Sequence, residues 1–223
     1  MKAPLLVLVH GWGFDAGVWT PLCKALDGVE TAAFDLGFYG RPRRPALPGG
    51  GSRPLVAVGH SLGLLWLLHE RPFPWRGLIG INGFPRFAQT GDFPEGVPAR
   101  ILDRMAARLK HSPLRVVEDF LARSGVLKAW TAEGEPDAET LGRGLEWLRQ
   151  WDGRAAFASE PGAVLLLNAT ADAIISEAMV RAAISGRNGA EPKWRRGGDH
   201  SLLLSDPEWC ALRIRAFLAE LDH

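Results

Sequence analysis

The chain has 223 residues, a hydrophobic content of 47% and a formal net charge of +1 at pH 7. This length fits one folded domain with a single large core, and the near-neutral charge gives no support for nucleic-acid binding. The two cysteines, Cys23 and Cys210, fit no zinc or redox spacing, so we expect free thiols and a cytoplasmic protein. The first apolar run is too short for a signal peptide, and no segment approaches the roughly 20 apolar residues of a membrane span. We therefore expect no membrane partner.

Short apolar strands alternate with helices along the first third of the chain. Strands are predicted over residues 5–11, 29–36, 55–59 and 77–83, and helices over residues 19–26 and 62–70. The strands are continuous apolar runs without polar alternation, which is typical of strands covered on both faces. Segment 37–54, "GFYGRPRRPALPGGGSRP", is dense in glycine and proline and is predicted to be a loop.

The strand pattern disappears between residue 84 and about residue 150. Three helix-like stretches follow one another there, "VPARILDRMAARLK", "PLRVVEDFLARSG" and "AETLGRGLEWLRQW". A buried strand is predicted over residues 163–170, then a helix over 176–185, a strand over 191–198 and a terminal helix over 207–221. This order predicts an α/β fold with a mostly parallel central sheet and helices on both faces. We predict one domain over residues 1–223, with residues 84–150 forming an inserted helical cap.

The stretch "VAVGHSLGLLWLLHE", residues 56–70, places a serine in a tight turn between a buried strand and an apolar helix. A Gly-x-Ser-x-Gly sequence in this context is typical of a nucleophile elbow, which presents the Ser61 hydroxyl above the sheet. The small residues Gly59 and Gly63 would let the strand and the helix approach closely. In the alternative interpretation, Ser61 is an ordinary turn residue that caps the following helix.

A serine nucleophile needs a base, and the base needs an acid that orients it. Among the six histidines, only His200 lies after a late strand and before the terminal helix, where the chain order of such an elbow puts the base. The alternative is a polar surface histidine. Asp172 directly follows the strand over residues 163–170 and is favoured as the acid, with Asp199, Asp152 and Asp206 as weaker alternatives.

Backbone N–H groups are predicted to stabilise the tetrahedral oxyanion. One belongs to Leu62, which follows the nucleophile, and the other to Trp12 in the "HGWG" loop after the first strand. The indole of Trp12 is equally compatible with a core position. No His-x-His or His-Glu-x-x-His spacing occurs, so we predict neither a metal nor a cofactor.

These motifs resemble the α/β-hydrolase family, and nearly the whole chain is similar to the pimeloyl-acyl-carrier-protein methyl ester esterases of biotin synthesis. The resemblance rests on "LVLVHGWGFDAGVW", "GHSLG", "GFPRFAQTGDFPEGV", "LGRGLEWLRQWDGR" and "GGDHSLLLSDPE". It implies a catalytic triad of Ser61, Asp172 and His200, with Trp12 and Leu62 as oxyanion donors. It also implies an α/β-hydrolase fold in which the family's N-terminal hairpin and one crossover helix are absent, because the proline-rich segment replaces that helix.

The same resemblance implies roles for residues of the cap. Phe120 would line an acyl channel, and Ser124 would bind substrate where the family has a longer amide side chain. Arg115 would be a retained residue for docking an acidic acyl carrier protein. Asp119 stands where another basic residue is expected.

A line of basic residues lies on the first predicted cap helix. Arg100, Arg104 and Arg108 are spaced at i, i+4 and i+8, which places them along one side of a helix. Such a line would steer an acidic partner, for instance an acyl carrier protein, in a salt-sensitive way. The equal alternative is an ordinary solvated helix face.

The sequence thus predicts a serine carboxylesterase that hydrolyses an acyl methyl ester through an acyl-enzyme. The expected partner is a small-molecule acyl ester, free or carried on an acyl carrier protein. A general short-chain carboxylesterase, an acyl thioesterase or an acyltransferase with the same triad is an alternative. An alternative of another class is a non-catalytic ligand-binding module with a hydrolase fold.

Overall fold

A computed structural model describes residues 2–48, 53–126 and 130–221. Its sheet has six strands, which are β1 (Leu5–Val9), β2 (Thr31–Phe34), β3 (Leu55–His60), β4 (Gly77–Ile81), β5 (Ala163–Ala169) and β6 (Lys193–Arg195). The strand order is β2-β1-β3-β4-β5-β6, and every neighbouring pair is parallel. The predicted α/β class with a parallel central sheet is confirmed.

The helices connect these strands. They are α1 (Thr20–Ala25), α2 (Leu62–Glu70), α3 (Ala99–Leu109), α4 (Pro113–Arg123), α5 (Ala138–Gln150), α6 (Arg154–Ala158), α7 (Glu177–Ile184), α8 (Leu202–Ser205) and α9 (Pro207–Leu221). A 3-10 turn over Ala16–Trp19 precedes α1. Helices α2 and α9 have the predicted bounds, whereas α6 and α8 lie in segments for which the sequence predicts no helix.

The strands are apolar on both sides because helices cover both faces of the sheet. In β1, Leu6 and Leu8 pack in a core cluster with side chains of α1, α8 and α9. Val7 and Val9 point to the other face and pack in a cluster with side chains of α2, α6 and α7. Burial on both faces explains why the strands read as continuous apolar runs.

Helices α3, α4 and α5 lie between β4 and β5 in the chain, within the segment predicted to be a cap. Helix α3 contacts both α4 and α5, and their apolar residues, such as Leu102, Val116 and Leu145, join the core cluster of α2. Between β2 and β3, the described residues form no helix, and residues 49–52 of the proline-rich loop lie outside the described residues. Of the helices in the described ranges, none is long and apolar enough to cross a membrane.

Candidate active site

Ser61 occupies the turn between β3 and α2. Its backbone angles, φ 51° and ψ −122°, lie in a region where residues other than glycine are rarely found. This conformation costs about 1–3 kcal/mol of folding free energy. Its N–H donates to the carbonyl of Ile81 at the end of β4, at 3.1 Å. Ser61 stands at the N-cap position of α2, but its hydroxyl makes no capping hydrogen bond. The interpretation of Ser61 as a simple helix cap is therefore wrong.

The two glycines of the motif allow this turn to form. A Cβ atom on Gly59 would lie 2.4 Å from the backbone nitrogen of Leu64, inside α2. A Cβ atom on Gly63 would lie 2.0 Å from the carbonyl oxygen of Val9, at the end of β1. Both distances are far below van der Waals contact, so the close approach of strand and helix requires glycine at each position.

The structure brings Ser61, His200 and Asp172 together at the carboxyl edge of the sheet. The Ser61 hydroxyl donates to His200 Nε2 at 2.8 Å, and His200 Nδ1 donates to Asp172 Oδ2 at 2.7 Å. The imidazole is fully buried, and the Asp172 side chain is 1% exposed. This arrangement can pass a proton from serine to imidazole while the carboxylate stabilises the resulting imidazolium.

The second oxygen of Asp172 fixes the carboxylate in place. Asp172 Oδ1 accepts hydrogen bonds from the N–H groups of Ile174 at 2.7 Å and Ile175 at 2.9 Å. Both oxygens therefore have donors, and the carboxylate plane is set by the loop that follows β5. This loop places the carboxylate at the same edge of the sheet as the serine turn.

The three other carboxylates considered from the sequence have other partners. Asp199 accepts from the N–H of Ser201 at 2.9 Å. Asp152 pairs with Arg86 and Arg154, and Asp206 pairs with Arg195 while it accepts from the N–H of Trp209. None of the three hydrogen-bonds to the His200 ring within the described ranges. Asp206 thus caps α9.

Leu62 directly follows Ser61 in the chain, and Trp12 directly follows Gly11, where a Cβ atom would lie 2.9 Å from the Cβ atom of Ser61. In the described part of the chain, neither of their backbone N–H groups donates a hydrogen bond to a protein acceptor, so both are free to receive an oxyanion. The loop that carries Trp12 is held at two points. The indole Nε1 donates to the carbonyl of Leu141 at 2.9 Å, and the ring of His10 accepts from the N–H of Leu36 at 2.9 Å.

Two side chains that the sequence did not single out, His60 and Asn82, contact the backbone of His200. Burial, together with a smaller effect of the nearby His200 ring, lowers the pKa of His60 to about 3, so His60 is neutral. Asn82 directly follows β4, in the sequence "GLIGING". Asn-Gly is a turn signal, and a polar residue at the end of a buried strand was the available clue to its role.

A cavity of about 570 Å³ lies under the helices α3, α4 and α5. Its wall is mainly apolar and includes Trp12, Met105, Phe120, Leu148 and Ile174. The ring of Phe120 packs edge-on against Trp12 at 5.0 Å and lies 6.3 Å from the His200 ring, centroid to centroid. Phe120 is therefore part of the cavity wall and a neighbour of the His200 ring. Ser61 itself is 4% exposed.

Ser124 does not lie in the cavity wall. It is fully buried at the end of α4, where its hydroxyl donates to the carbonyl of Phe120 at 2.9 Å. Its own carbonyl accepts from the N–H of Ser201 at 3.1 Å. The hydroxyl thus donates within its own helix, and the substrate-binding role that the resemblance implies for Ser124 stays a prediction.

The rim of the cavity carries charged side chains, Arg104, Arg108, Arg123 and Asp119. Asp119 pairs with Arg108 at 2.7 Å and with Arg115 at 3.3 Å. The hydrogen bond from Arg108 lowers the pKa of Asp119, so the carboxylate stays charged. With three guanidinium groups and one carboxylate, the rim is locally basic.

Arg100 is exposed on α3 but stands away from this rim. Asp103, on the same helix, pairs with Arg149 of α5 at 2.6 Å, so its charge is neutralised outside the arginine line. Among the residues that the structure describes, no group of three or more histidine, cysteine, aspartate or glutamate side chains is placed to hold a metal ion.

Comparison with known proteins gives consistent findings. A family model described as "Alpha/beta hydrolase family" matches residues 6–213. A "Pimeloyl-[acyl-carrier protein] methyl ester esterase" of Xanthomonas oryzae is 28% identical over 98% of this chain and 96% of its own length. A protein of the same name from Xylella fastidiosa is 30% identical, with the same coverage.

Solved structures give the same fold. A bromoperoxidase from Bacillus anthracis superposes with a TM-score of 0.80 at 14% identity, covering 98% of this chain and 92% of that chain. An esterase from Exiguobacterium antarcticum superposes with a TM-score of 0.78 at 15% identity, with the same coverage. At such identities the likeness concerns the fold alone.

Proposed function

Because the chain belongs to the alpha/beta hydrolase family and is an esterase of that family, we propose that Ser61, His200 and Asp172 form its catalytic triad. The observation that carries this proposal is the 2.8 Å hydrogen bond from the Ser61 hydroxyl to His200 Nε2. A hydroxyl alone is a weak nucleophile at neutral pH, and an adjacent oriented base activates it. Asp172 is the orienting group, because its Oδ2 accepts the Nδ1 proton of His200.

The first half of the reaction forms an acyl-enzyme. Ser61 Oγ attacks the ester carbonyl while His200 Nε2 takes the hydroxyl proton, and the carbonyl oxygen becomes an oxyanion. The N–H groups of Trp12 and Leu62 are the proposed donors to this oxyanion, each worth about 2.7–4 kcal/mol of transition-state stabilisation. When the tetrahedral intermediate collapses, the C–O bond to the alcohol breaks, and His200 returns the proton to the leaving alkoxide.

The second half hydrolyses the acyl-enzyme. His200 Nε2 removes a proton from a water molecule as the water oxygen attacks the acyl carbonyl, and the same two N–H groups hold the new oxyanion. Collapse of this intermediate breaks the bond to Ser61 Oγ, which recovers its proton from His200. The products are a carboxylic acid and an alcohol, and the enzyme returns to its starting state.

We further propose that the substrate is a methyl ester at the end of a pimeloyl chain carried on an acyl carrier protein. The support is the name that relatives of 28–30% identity bear over nearly their full length. The apolar cavity of about 570 Å³ suits an extended acyl chain, and Phe120 lines it next to the triad. Arg104 and Arg108 at its rim suit an acidic carrier, and so do Arg100 and Arg115, which are exposed elsewhere on α3 and α4. Residues 84–150 would act as the cap that encloses the acyl chain of the substrate.

The test is hydrolysis of a carrier protein loaded with the methyl-pimeloyl chain, followed by intact mass spectrometry. We expect the carrier to lose the mass of one methylene group, as methyl ester becomes acid, while the thioester to the carrier stays intact. Ser61→Ala is the matched control and should leave the substrate unchanged. The variant should unfold at the same temperature as the natural protein. Rescue of a biotin auxotroph that lacks its methyl ester esterase, again dependent on Ser61, would establish the same activity in a cell.

Other outcomes of this test select the alternatives. Release of the acyl chain from the carrier thiol would identify a thioesterase or acyltransferase. Turnover of short free esters without turnover of the loaded carrier would identify a general carboxylesterase. An intact fold that binds acyl esters but hydrolyses none would identify a non-catalytic binding module and overturn the proposed mechanism.

A further inference from the structure

We propose that Asn82 is a positioning residue that holds the backbone of His200 in place relative to the strand ends carrying Ser61 and Asp172. The inference rests on the proposed function, because it assumes that His200 is the base. It concerns a residue outside the triad and outside the oxyanion loop. The argument depends on which backbone groups its single amide side chain joins.

Asn82 sits at a constrained position directly after β4. It is fully buried, and its φ of 43° lies in the left-handed region, which asparagine tolerates better than most residues. Its N–H donates to the carbonyl of Leu167 in β5 at 2.7 Å. Asn82 is therefore still hydrogen-bonded to β5 although it already has the backbone conformation of the turn. This turn directs its side chain across the ends of the strands.

The side-chain amide joins the end of β5 to the loop that carries His200. Asn82 Oδ1 accepts from the N–H of Ala169, the last residue of β5, at 2.9 Å. Asn82 Nδ2 donates to the carbonyl of Asp199 at 2.8 Å and to the carbonyl of His200 at 2.9 Å. Both amide hydrogens are used. Only a side chain with an acceptor and two donors in one plane can make all three bonds.

His60 supplies a second donor to the same carbonyl. Its Nε2 donates to the carbonyl oxygen of His200 at 2.9 Å, and a carbonyl oxygen has two lone pairs to receive two donors. His60 is the last residue of β3, next to Ser61, while Asn82 is next to Ile81, which binds the Ser61 N–H. The backbone of the base is thus fixed by residues adjacent to the nucleophile turn.

This geometry ties the spacing between base, acid and nucleophile to one buried amide. β5 leads directly to Asp172, so the bond to Ala169 fixes the acid's side of the site while the bonds to Asp199 and His200 fix the base's side. A displacement of a reacting group by 1 Å costs on the order of 100-fold in rate. Loss of the Asn82 amide should therefore lower the rate of the chemical step more than it lowers substrate binding.

Two variants remove the amide in different ways. Asn82→Asp keeps the shape but replaces the donating NH₂ group by an acceptor oxygen, which then faces the carbonyls of Asp199 and His200. Asn82→Gly keeps the left-handed backbone without strain and removes the side chain entirely. Asn168→Ala is the matched control, because Asn168 is also buried in the neighbouring strand but its side chain has no hydrogen-bond partner among the described residues.

The experiment measures kcat and KM for hydrolysis of a short free methyl ester. The concentration of active sites is determined by titration with a fluorophosphonate, and kcat is expressed per titrated site. We expect kcat to fall about 10- to 100-fold in both Asn82 variants with KM within about threefold, and Asn168→Ala to keep the natural kcat. The deshielded Nδ1 proton of His200, followed by proton NMR, should broaden or vanish in the Asn82 variants only. If the aspartate variant fails to fold, the glycine variant makes the same comparison.

The possible failures are distinct. If the natural protein shows no turnover that depends on Ser61, the proposed function fails. If the natural protein is active and a folded Asn82 variant keeps its kcat per titrated site and its Nδ1 signal, Asn82 has only a structural role and this inference is overturned. A lower titrated fraction with an unchanged kcat per site has the same meaning.

Discussion

The triad edge of the sheet and the rim of the cavity are built in opposite ways. At the triad edge, the side chains of Ser61, Asp172 and His200 are nearly or fully buried, and hydrogen bonds to or from backbone groups hold each of the three residues. At the rim, the long, flexible side chains of Arg104 and Arg108 are exposed to solvent. At the triad edge, activity depends on the exact position of the reacting groups. At the rim, it depends on the charge of the side chains. We therefore expect large, salt-independent effects from substitutions at the triad edge and small, salt-dependent effects at the rim.

The largest effect is expected from Asp172→Asn. The N–H groups of Ile174 and Ile175 require an oxygen acceptor, so the amide would place its oxygen there and its NH₂ towards His200 Nδ1. His200 would then carry its proton on Nε2 and could not accept from Ser61. We expect kcat to fall by about 10⁴-fold, measured by steady-state ester hydrolysis at low and high salt.

Asp152→Asn is the control for that substitution, because Asp152 lies in an ion pair with Arg86 and Arg154 rather than at the site. Its kcat should stay within about threefold of the natural value, since partly exposed ion pairs contribute little. Equal losses in the two variants would contradict the assignment of Asp172 as the orienting acid.

The next effect is on folding, and it contrasts two glycines. Gly63→Ala would put a methyl group 2.0 Å from the carbonyl oxygen of Val9, so we expect the free energy of unfolding to fall by about 3 kcal/mol. Gly142→Ala, inside α5 with open space around its Cβ position, should raise it by about 0.5–1 kcal/mol. Urea unfolding measures both, and a neutral Gly63→Ala would show that the turn is not tightly packed.

A smaller effect is the pH dependence that His60 gives to stability. Its pKa falls from 6.5 in the unfolded chain to about 3 in the fold, so between these values the unfolded chain binds more protons. Stability is therefore complete above pH 6.5 and is lost as the pH falls below it. At pH 5 the loss should be about 2 kcal/mol relative to pH 7.5.

His60→Gln keeps a donor for the His200 carbonyl but cannot titrate, so it should remove this loss in urea unfolding at the two pH values. His111→Gln alters an exposed histidine and should leave the loss as it is. An unchanged pH dependence in His60→Gln would mean that other groups cause the acid sensitivity.

The smallest effect is expected at the rim. Arg104→Glu should raise KM for the carrier-bound ester about fivefold at low salt, because steering by charge is lost, and should leave a short free ester unaffected. High salt should remove the difference. Arg213→Glu, on α9 against the opposite face of the sheet, is the matched charge reversal. A rise in KM that persists at high salt would indicate a direct contact instead.

The same contrast explains what the sequence could predict. Helix α2 and the serine turn could be predicted because Gly59, Ser61 and Gly63 form a local sequence pattern, in which the close approach of strand and helix requires the two glycines. Helix α9 could be predicted because it begins at an Asp-Pro pair. Helices α6 and α8 were missed because they are only five and four residues long. Such short helices depend on packing against the sheet rather than on their own pattern.

The candidate site divides in the same way. Ser61, His200 and Asp172 follow from motif and chain order, and the structure brings them within hydrogen-bond distance. Asn82 has no such pattern, because its partners are backbone groups far away in the sequence that only the folded sheet brings near. The hydroxyl of Ser124 bonds to a carbonyl of its own helix, a local contact that a resemblance between sequences does not reveal.

The most direct measurement of the central claim is covalent labelling with a fluorophosphonate, read by intact mass and peptide mapping. The natural protein should gain one adduct, located on Ser61, at a rate that falls sharply in His200→Gln and to zero in Ser61→Ala. An active enzyme that takes no label, or takes it on another residue while Ser61→Ala still hydrolyses esters, would contradict the proposed triad.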